Sequence, residues 1–402
     1  MPLSVEVPDA RLVSIFDTTL RDGEQAPGNA ISPDRKVEIA LTLESLGVDL
    51  VETGFPASSA TEREATRLIA QSLSKARVVT FSRSARADIA AAVEAAGVDR
   101  HQVQVMATGS DMHLVHKRGI TRQAAVAEVR DAVAFAGSLG VSDVSVPVED
   151  ASRGEDDLLR AIVEAALEEG ARTFVLGDTS GCLTPQEYAD LVRRFRSWAP
   201  SPIVISTHCH NDLGLSLANA IAGVMAGADE IQATLGGIGE RAGNTPLEEV
   251  AAVLAYKGPM LGLASALRTE GIHDAYGRLR RAMQLPEPRN KPVVGTYAFS
   301  TAAGVHQQGM LANPSTYEYV EPERFGRHRQ VLISRHSGRV VLRHVLQQLG
   351  APADDAQVDA LYERYVLSRP DGDCETIDDL RVRLLADPRL RPESVAHASS
   401  AV

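Results

Sequence analysis

The chain has 402 residues, 44% of them hydrophobic and 23% charged, with a formal net charge of −12. That balance describes a globular protein with one large domain and a smaller region after it, and the acidic excess speaks against a nucleic-acid partner. No apolar run approaches the roughly 20 residues that a membrane span needs.

In chain order, the first fourteen residues carry neither a basic start nor an apolar core, so no export signal is read. Only Cys182, Cys209 and Cys374 are present. They are too scattered for a disulfide framework, and a cytoplasmic location is expected. Short β-branched runs then alternate with amphipathic helical patterns to about residue 257. Strands are predicted at 12–17, 49–54, 77–81, 102–107, 141–148, 172–176, 203–208 and 230–235, each followed by a helix. The first helix shows the grammar: Ser32 as N-cap, Pro33 in the first turn, Ile39, Leu43 and Leu46 on one face, and Gly47 as the stop. Eight such units predict a closed (β/α)8 TIM barrel over residues 1–258, with an open doubly wound sheet as the rival. Beyond it, 264–285 reads as helix and 286–292 as an irregular connector. A first C-terminal subdomain is expected over 259–330 and a second, mainly helical one over 331–402, with a frayed polar tail from about 387.

Functional residues of a barrel gather at the carboxyl ends of its strands. Three polar clusters fall there. Asp17-Thr18-Thr19-Leu20-Arg21-Asp22-Gly23-Glu24-Gln25 leaves strand one, Thr207-His208-Cys209-His210-Asn211-Asp212 ends strand seven, and Gly236-Gly237-Ile238-Gly239-Glu240-Arg241-Ala242-Gly243-Asn244 follows strand eight. Residues two apart on an extended segment face one way, so His208 and His210 can converge. With Asp22 from the neighbouring first strand they make a divalent-metal site with open positions. The glycines at 237, 239 and 243 mimic a dinucleotide fingerprint. They follow the eighth strand rather than opening a βαβ half, and Glu240 and Arg241 suit a pyrophosphate poorly. A tight backbone turn beside the site is the better reading.

These motifs resemble those of the isopropylmalate and homocitrate synthases. Leu20-Arg21-Asp22-Gly23-Glu24-Gln25 with Lys36 is similar to the first family signature. The segment from Ile205 to Ala218 with His208-Cys-His210-Asn211-Asp212 is similar to the second. Gly239-Glu240-Arg241-x-Gly243-Asn244, Glu149-Asp150-Ala151-Ser152-Arg153, Asp178-Thr179, Gly304-Val305-His306-Gln307 and His336-Ser337-Gly338-Arg339 follow the same pattern in the same order. The resemblance covers residues 12–345 and extends in part to hydroxymethylglutaryl-CoA lyase. It implies a Claisen condensation of acetyl-CoA with an α-keto acid, followed by thioester hydrolysis to free CoA. It further implies a divalent metal (Mg, Mn or Zn) on Asp22, His208, His210 and Asn244. Arg21 would stabilise the oxyanion and His306 act as general base, with Glu149 and Tyr317 as accompanying acid/base and polar groups. Gln25 and Thr179 would contact the keto acid. A homodimer with shared active sites is implied too, the region after the barrel crossing to the partner. The apolar faces of the helices after Arg335 (Val340, Val341, His344, Val345, Leu349) are expected to need such cover.

This sequence departs from many relatives at Thr301-Ala302, where a His-Glu pair is usual, and at Ser334-Arg335, where Gly-Lys is usual. Ser110-Asp111-Met112-His113, Pro322-Glu323-Arg324-Phe325-Gly326 and the short C-terminal region favour a homocitrate-synthase-like or specialised-metabolism enzyme. Arg83, His113, Lys117 and Arg153 are candidate contacts for a second acidic group on the keto acid. His306-Gln307 leans instead toward a 2-isopropylmalate synthase lacking the regulatory domain. A hydroxymethylglutaryl-CoA-type lyase is the remaining alternative.

Overall fold

The computed structural model describes residues 10–351, 353–387 and 390. The amino-terminal stretch and nearly all of the tail read as frayed lie outside them. The chain divides into two compact units, Met1–Glu287 and Pro288–Val402.

In the first unit, eight parallel strands close into a barrel. They are β1 (Ser14–Asp17), β2 (Leu50–Glu52), β3 (Arg77–Arg83), β4 (His101–Thr108), β5 (Asp143–Glu149), β6 (Thr173–Asp178), β7 (Val204–Cys209) and β8 (Glu230–Ala233). The barrel shuts where β8 pairs back onto β1, Ser14 against Glu230 through Asp17 against Ala233. The rival open sheet is excluded by this closure. Between the strands run α1 (Pro33–Leu46), α2 (Ala60–Ser72), α3 (Arg86–Ala96), α4 (Arg122–Ser138), α5 (Asp156–Glu168), α6 (Pro185–Trp198), α7 (Ser216–Met225) and α8 (Leu247–Leu261). The first helix obeys its sequence signals: Ser32 accepts from Arg35 N, and Gly47 caps the end with φ of 86°.

The predicted strands differ mainly at their ends. Residues 11–12 leave the barrel to pair with 263–264, because Arg11 N donates to Gly262 O while Val13 N donates to Ala264 O. The expected helix 264–285 shortens to α9 (Ile272–Met283), which packs against α1. Among the described residues no helix is long and apolar enough to cross a membrane.

Strand alternation sorts the side chains. Val103, Val105 and Ala107 of β4 face the helices and join the outer apolar layer with Ile162 and Leu191. The opposite parity faces the bore. Phe16, Leu50 and Val79 fill one arc with hydrocarbon. The other arc is polar, with Gln102, Gln104, Ser145, Glu230 and Gln232 all buried. Burial pushes the Glu230 carboxyl up to about 7, against hydrogen bonds that include Ser14 Oγ at 3.2 Å. The folded state therefore holds a proton that the unfolded chain releases near pH 4.5. This contribution to stability is complete below that pH and is lost as pH rises through about 7. Denaturant titrations from pH 5 to 8 should show wild type losing stability more steeply than Glu230→Gln, by up to about 1.4 kcal/mol per pH unit. Equal slopes would show that another group titrates.

The second unit holds a three-stranded sheet of β9 (Ser300–Thr301), β10 (Gln330–Ile333) and β11 (Glu375–Thr376), with β10 in the middle. Around it lie α10 (Gly304–Ala312), α11 (Arg339–Gln348), α12 (Asp355–Tyr362) and α13 (Ile377–Leu385). The region is mainly helical, and this small sheet is what the sequence reading omits. Val341 and Val345 of α11 pack against Val358, Leu361 and Leu380 in the same unit. Most of that apolar face is thus covered within its own unit, and Val340 stays exposed. Gly304 lets two motifs meet: its amide donates to His336 O at 2.9 Å, and a Cβ there would stand 2.7 Å from Gly338 N. Gln307, fully buried, ties the same junction through Ser337 Oγ at 3.0 Å and Leu332 O at 2.8 Å.

Candidate active site and metal centre

Just after β1 the chain turns sharply, because one carbonyl, Thr18 O, accepts from the amides of Arg21, Asp22 and Gly23. Gly23 permits the approach of Ile238, whose Cγ1 would lie 2.8 Å from any Cβ there. From α1, Lys36 reaches under this turn. It is fully buried, pairs with Glu24 and with Glu62 at 2.6 Å, and donates to Leu20 O at 3.2 Å. The ten-residue spacing between Gln25 and Lys36 thus returns a clamp to the loop that carries Arg21 and Asp22.

His208 and His210 leave the end of β7 with their rings 5.2 Å apart and nearly perpendicular. His208 Nε2 lies 3.3 Å from Asp22 Oδ2, and His210 Nε2 lies 4.0 Å from the same oxygen. One donor atom from each of the three residues falls within 4.8 Å of the others. On the far side of the His208 ring, Nδ1 stands 2.9 Å from Gln232 Oε1. A glutamine oxygen can only accept, so Nδ1 carries the proton and Nε2 presents its lone pair to the centre. Asn244 bridges to His210 across the backbone. Its Nδ2 donates to Ile238 O at 3.2 Å, and its buried Oδ1 has no partner among the described residues. Gly239 makes the room: a Cβ there would sit 2.1 Å from Asn244 Nδ2. Gly243, with φ of 90°, avoids Gly237 O in the same way. These glycines build a turn against the site.

The protonation states suit a cation. Burial would raise the Asp22 carboxyl, but Arg21 and the two histidines overcome it and hold the group well below the usual carboxylate range. Burial lowers His210 to about 4, so its imidazole is neutral at pH 7. An ionised Asp22 carboxylate, a neutral His210 imidazole and a spare amide oxygen fit a divalent ion. Arg21 Nε lies 2.8 Å from Glu52 Oε2, Nη1 3.3 Å from Asp22 Oδ2, and the guanidinium sits over the Phe81 ring at 4.9 Å. Glu52, fully buried, is missing from the sequence reading. A lone carboxylate at the carboxyl end of a predicted strand is the signal that could have found it. The same holds for Gln232.

These groups open onto a cavity of about 700 Å³, which Arg21, Asp22, Gln25, Arg83, Glu149, Thr179, His208 and His210 help to line. Of the remaining candidates, Glu149 pairs with Lys117 at 2.6 Å and with His113 at 3.3 Å. Asp150 is held by Arg153 at 2.8 Å. The Asp150 amide donates to Thr179 Oγ1 at 2.8 Å, which leaves the Thr179 hydroxyl proton free for a substrate. Arg83 is spanned by Asp88 at 2.6 and 3.0 Å. His113 and Arg153 do not line the cavity. His306, exposed on α10, stacks on Tyr317 with 4.3 Å between ring centres, and both belong to the second unit.

With this geometry in hand, comparisons with known proteins are specific. Residues 12–276 match the family model described as HMGL-like, and 293–368 match the homocitrate synthase post-HMGL domain-like model. The chain is 39% identical over 359 residues to 2-isopropylmalate synthase of Xanthomonas campestris pv. campestris strain B100, covering 88% of this chain and 68% of that one. It is 40% identical over 358 residues to 2-isopropylmalate synthase of Shewanella baltica strain OS155, with the same coverage. Among solved structures, the hydroxymethylglutaryl-CoA lyases of Pseudomonas aeruginosa (TM-score 0.60, 17% identity) and Brucella melitensis (TM-score 0.58, 20%) share the barrel. They cover 69% and 68% of this chain and 95% and 100% of their own. At such identities they speak for the fold alone.

Proposed function

Since the chain belongs to the isopropylmalate synthase and homocitrate synthase family, we propose that it condenses acetyl-CoA with a 2-oxo acid bearing a neutral side chain, as 2-isopropylmalate synthases do, and hydrolyses the thioester to release CoA. The observation that carries this reading is the Asp22–His208–His210 centre beside Arg21, with its protonation states set for a cation. A divalent ion held there, with Asn244, would polarise the keto group as a Lewis acid. Arg21, fixed by Glu52, is then placed for the negative charge that grows on the keto oxygen as the new carbon–carbon bond forms. Thr179 donates its hydroxyl proton to the keto acid's carboxylate. His306 takes a proton from the acetyl methyl group, with Tyr317 and Glu149 as its polar company. Water then cleaves the thioester.

A neutral side chain is favoured because each cation lining the cavity already faces a carboxylate. Arg83 has Asp88, Lys117 has Glu149, Arg118 has Glu128 and Arg241 has Asp212. The homocitrate-type reading, with a dianionic keto acid, leans on Arg83, His113 and Arg153 and is the weaker one. CoA release should therefore be faster with 3-methyl-2-oxobutanoate than with 2-oxoglutarate at equal concentration. The reverse order would reinstate the homocitrate-type reading.

A homodimer whose second units complete the partner's barrel is part of the proposal. His208→Ala and His306→Ala are each expected to be inactive, and their mixture to recover up to about a quarter of wild-type activity by random exchange. Demonstrated exchange without recovery would confine His306 to its own chain.

A further inference from the structure

We infer that the 2-oxo acid carries a neutral hydrogen-bonding group, a hydroxyl or an amide, toward the end of its side chain, and that Gln104 selects it; this rests on the condensation reading above. Gln104 is fully buried in the bore on β4, lines the same cavity as His208 and Arg21, and has no protein partner for either its Nε2 or its Oε1 among the described residues. Its register neighbours are Phe81 on β3 and Ser145 on β5. Ser145 is equally buried, and its hydroxyl is equally without a partner.

The other glutamines of the bore are committed. Gln232 Oε1 holds His208, and Gln102 Nε2 reaches Asp143 at 3.2 Å. Gln104 is the glutamine of the three with both amide atoms left over. Around it the cavity wall is hydrocarbon: Phe81, Met106, Pro147 and Val175. An apolar pocket with one or two uncommitted polar groups orients its ligand through those groups.

The donor and acceptor of Gln104 already lie out of reach of water with nothing to meet them, the costly arrangement for buried polar groups, and a hydrocarbon side chain seated there leaves that cost standing. A hydroxyl or amide meets both. A carboxylate gains only the donor, repels the acceptor and finds no uncommitted cation on the cavity wall. The distal group is therefore polar and uncharged. A site built to hydrogen-bond a substrate group rejects the analogue that lacks it far more strongly than an apolar pocket rejects an added methyl.

The test uses two pairs of 2-oxo acids that differ by exchange of a methyl for a hydroxyl: 3-methyl-2-oxobutanoate against 3-hydroxy-2-oxobutanoate, and 2-oxopentanoate against 4-hydroxy-2-oxobutanoate. CoA release by the full-length wild-type enzyme should favour the hydroxylated member of at least one pair by about 10- to 100-fold in kcat/KM. Gln104→Met, close in volume, should reverse that preference while leaving the KM for acetyl-CoA unchanged. Should the variant fail to fold, the wild-type ratios decide alone. Preference for the hydrocarbon in both pairs, or a ratio that Gln104→Met does not move, overturns the role of Gln104 while leaving the condensation intact. Absence of CoA release with all four acids and with 2-oxoglutarate refutes the condensation itself, and this inference with it.

Discussion

Replacing His208 by alanine is expected to abolish both metal binding and activity while leaving the barrel folded. The side chain supplies one of three close donors, and its Nε2 is the nearer imidazole nitrogen to Asp22, at 3.3 Å. Two remaining protein donors hold a divalent ion poorly against water. The change also strips Gln232 Oε1 of its partner at 2.9 Å, so some stability is lost with the site. A competition titration with a chromophoric chelator should show affinity falling by at least about 100-fold, with the far-ultraviolet circular dichroism unchanged. Full activity in a metal-depleted preparation of the variant would sink the assignment of the centre.

Arg21→Lys should lower kcat by roughly 100-fold or more, the usual result of losing one oxyanion donor, with little change in metal affinity. The reasoning turns on shape rather than charge. Arg21 is held on three sides, by Glu52, by Asp22 and by the face of Phe81. A planar guanidinium can satisfy these contacts and still present an N–H to the substrate, whereas an ammonium on a flexible stem cannot do both. Because lysine keeps the positive charge beside Asp22, the carboxylate stays ionised and the metal affinity should hold. An unchanged kcat would mean that Arg21 serves only to hold the loop.

Much of this site is legible in the sequence because its chemistry needs rare residue types at strand ends. His208-x-His210 follows the period of an extended strand, and Asp22 lies just past a first strand that closure brings to within one strand of it. The glycines at 239 and 243 read as turn formers, and the structure gives the reason, since side chains there would strike Asn244 and Gly237. What escapes the sequence is whatever supports these groups from behind. Glu52 and Gln232 are single polar residues in otherwise apolar strands, and only the register of the sheet shows that one meets Arg21 and the other His208. Likewise Arg83 and Arg153 look like free cations in the sequence. Their partners, Asp88 and Asp150, become visible only as distances. The small sheet of the second unit is hidden for another reason: two of its strands are two residues long, too short for any periodicity to register.

The candidate metal donors lie at or just past the ends of β1, β7 and β8, so the centre straddles the seam where the last strand meets the first. At that seam Leu235 N donates to Thr19 Oγ1 across 216 positions of sequence. Contacts of such separation are the slowest to form, because the loop they close is almost the whole domain. A nascent or truncated chain that lacks its eighth strand cannot close the ring that brings these donors together, however well its first seven units are ordered. A cation that binds only the closed ring acts as a latch on folding: it stabilises the native state in proportion to the logarithm of its concentration and leaves the half-formed barrel untouched.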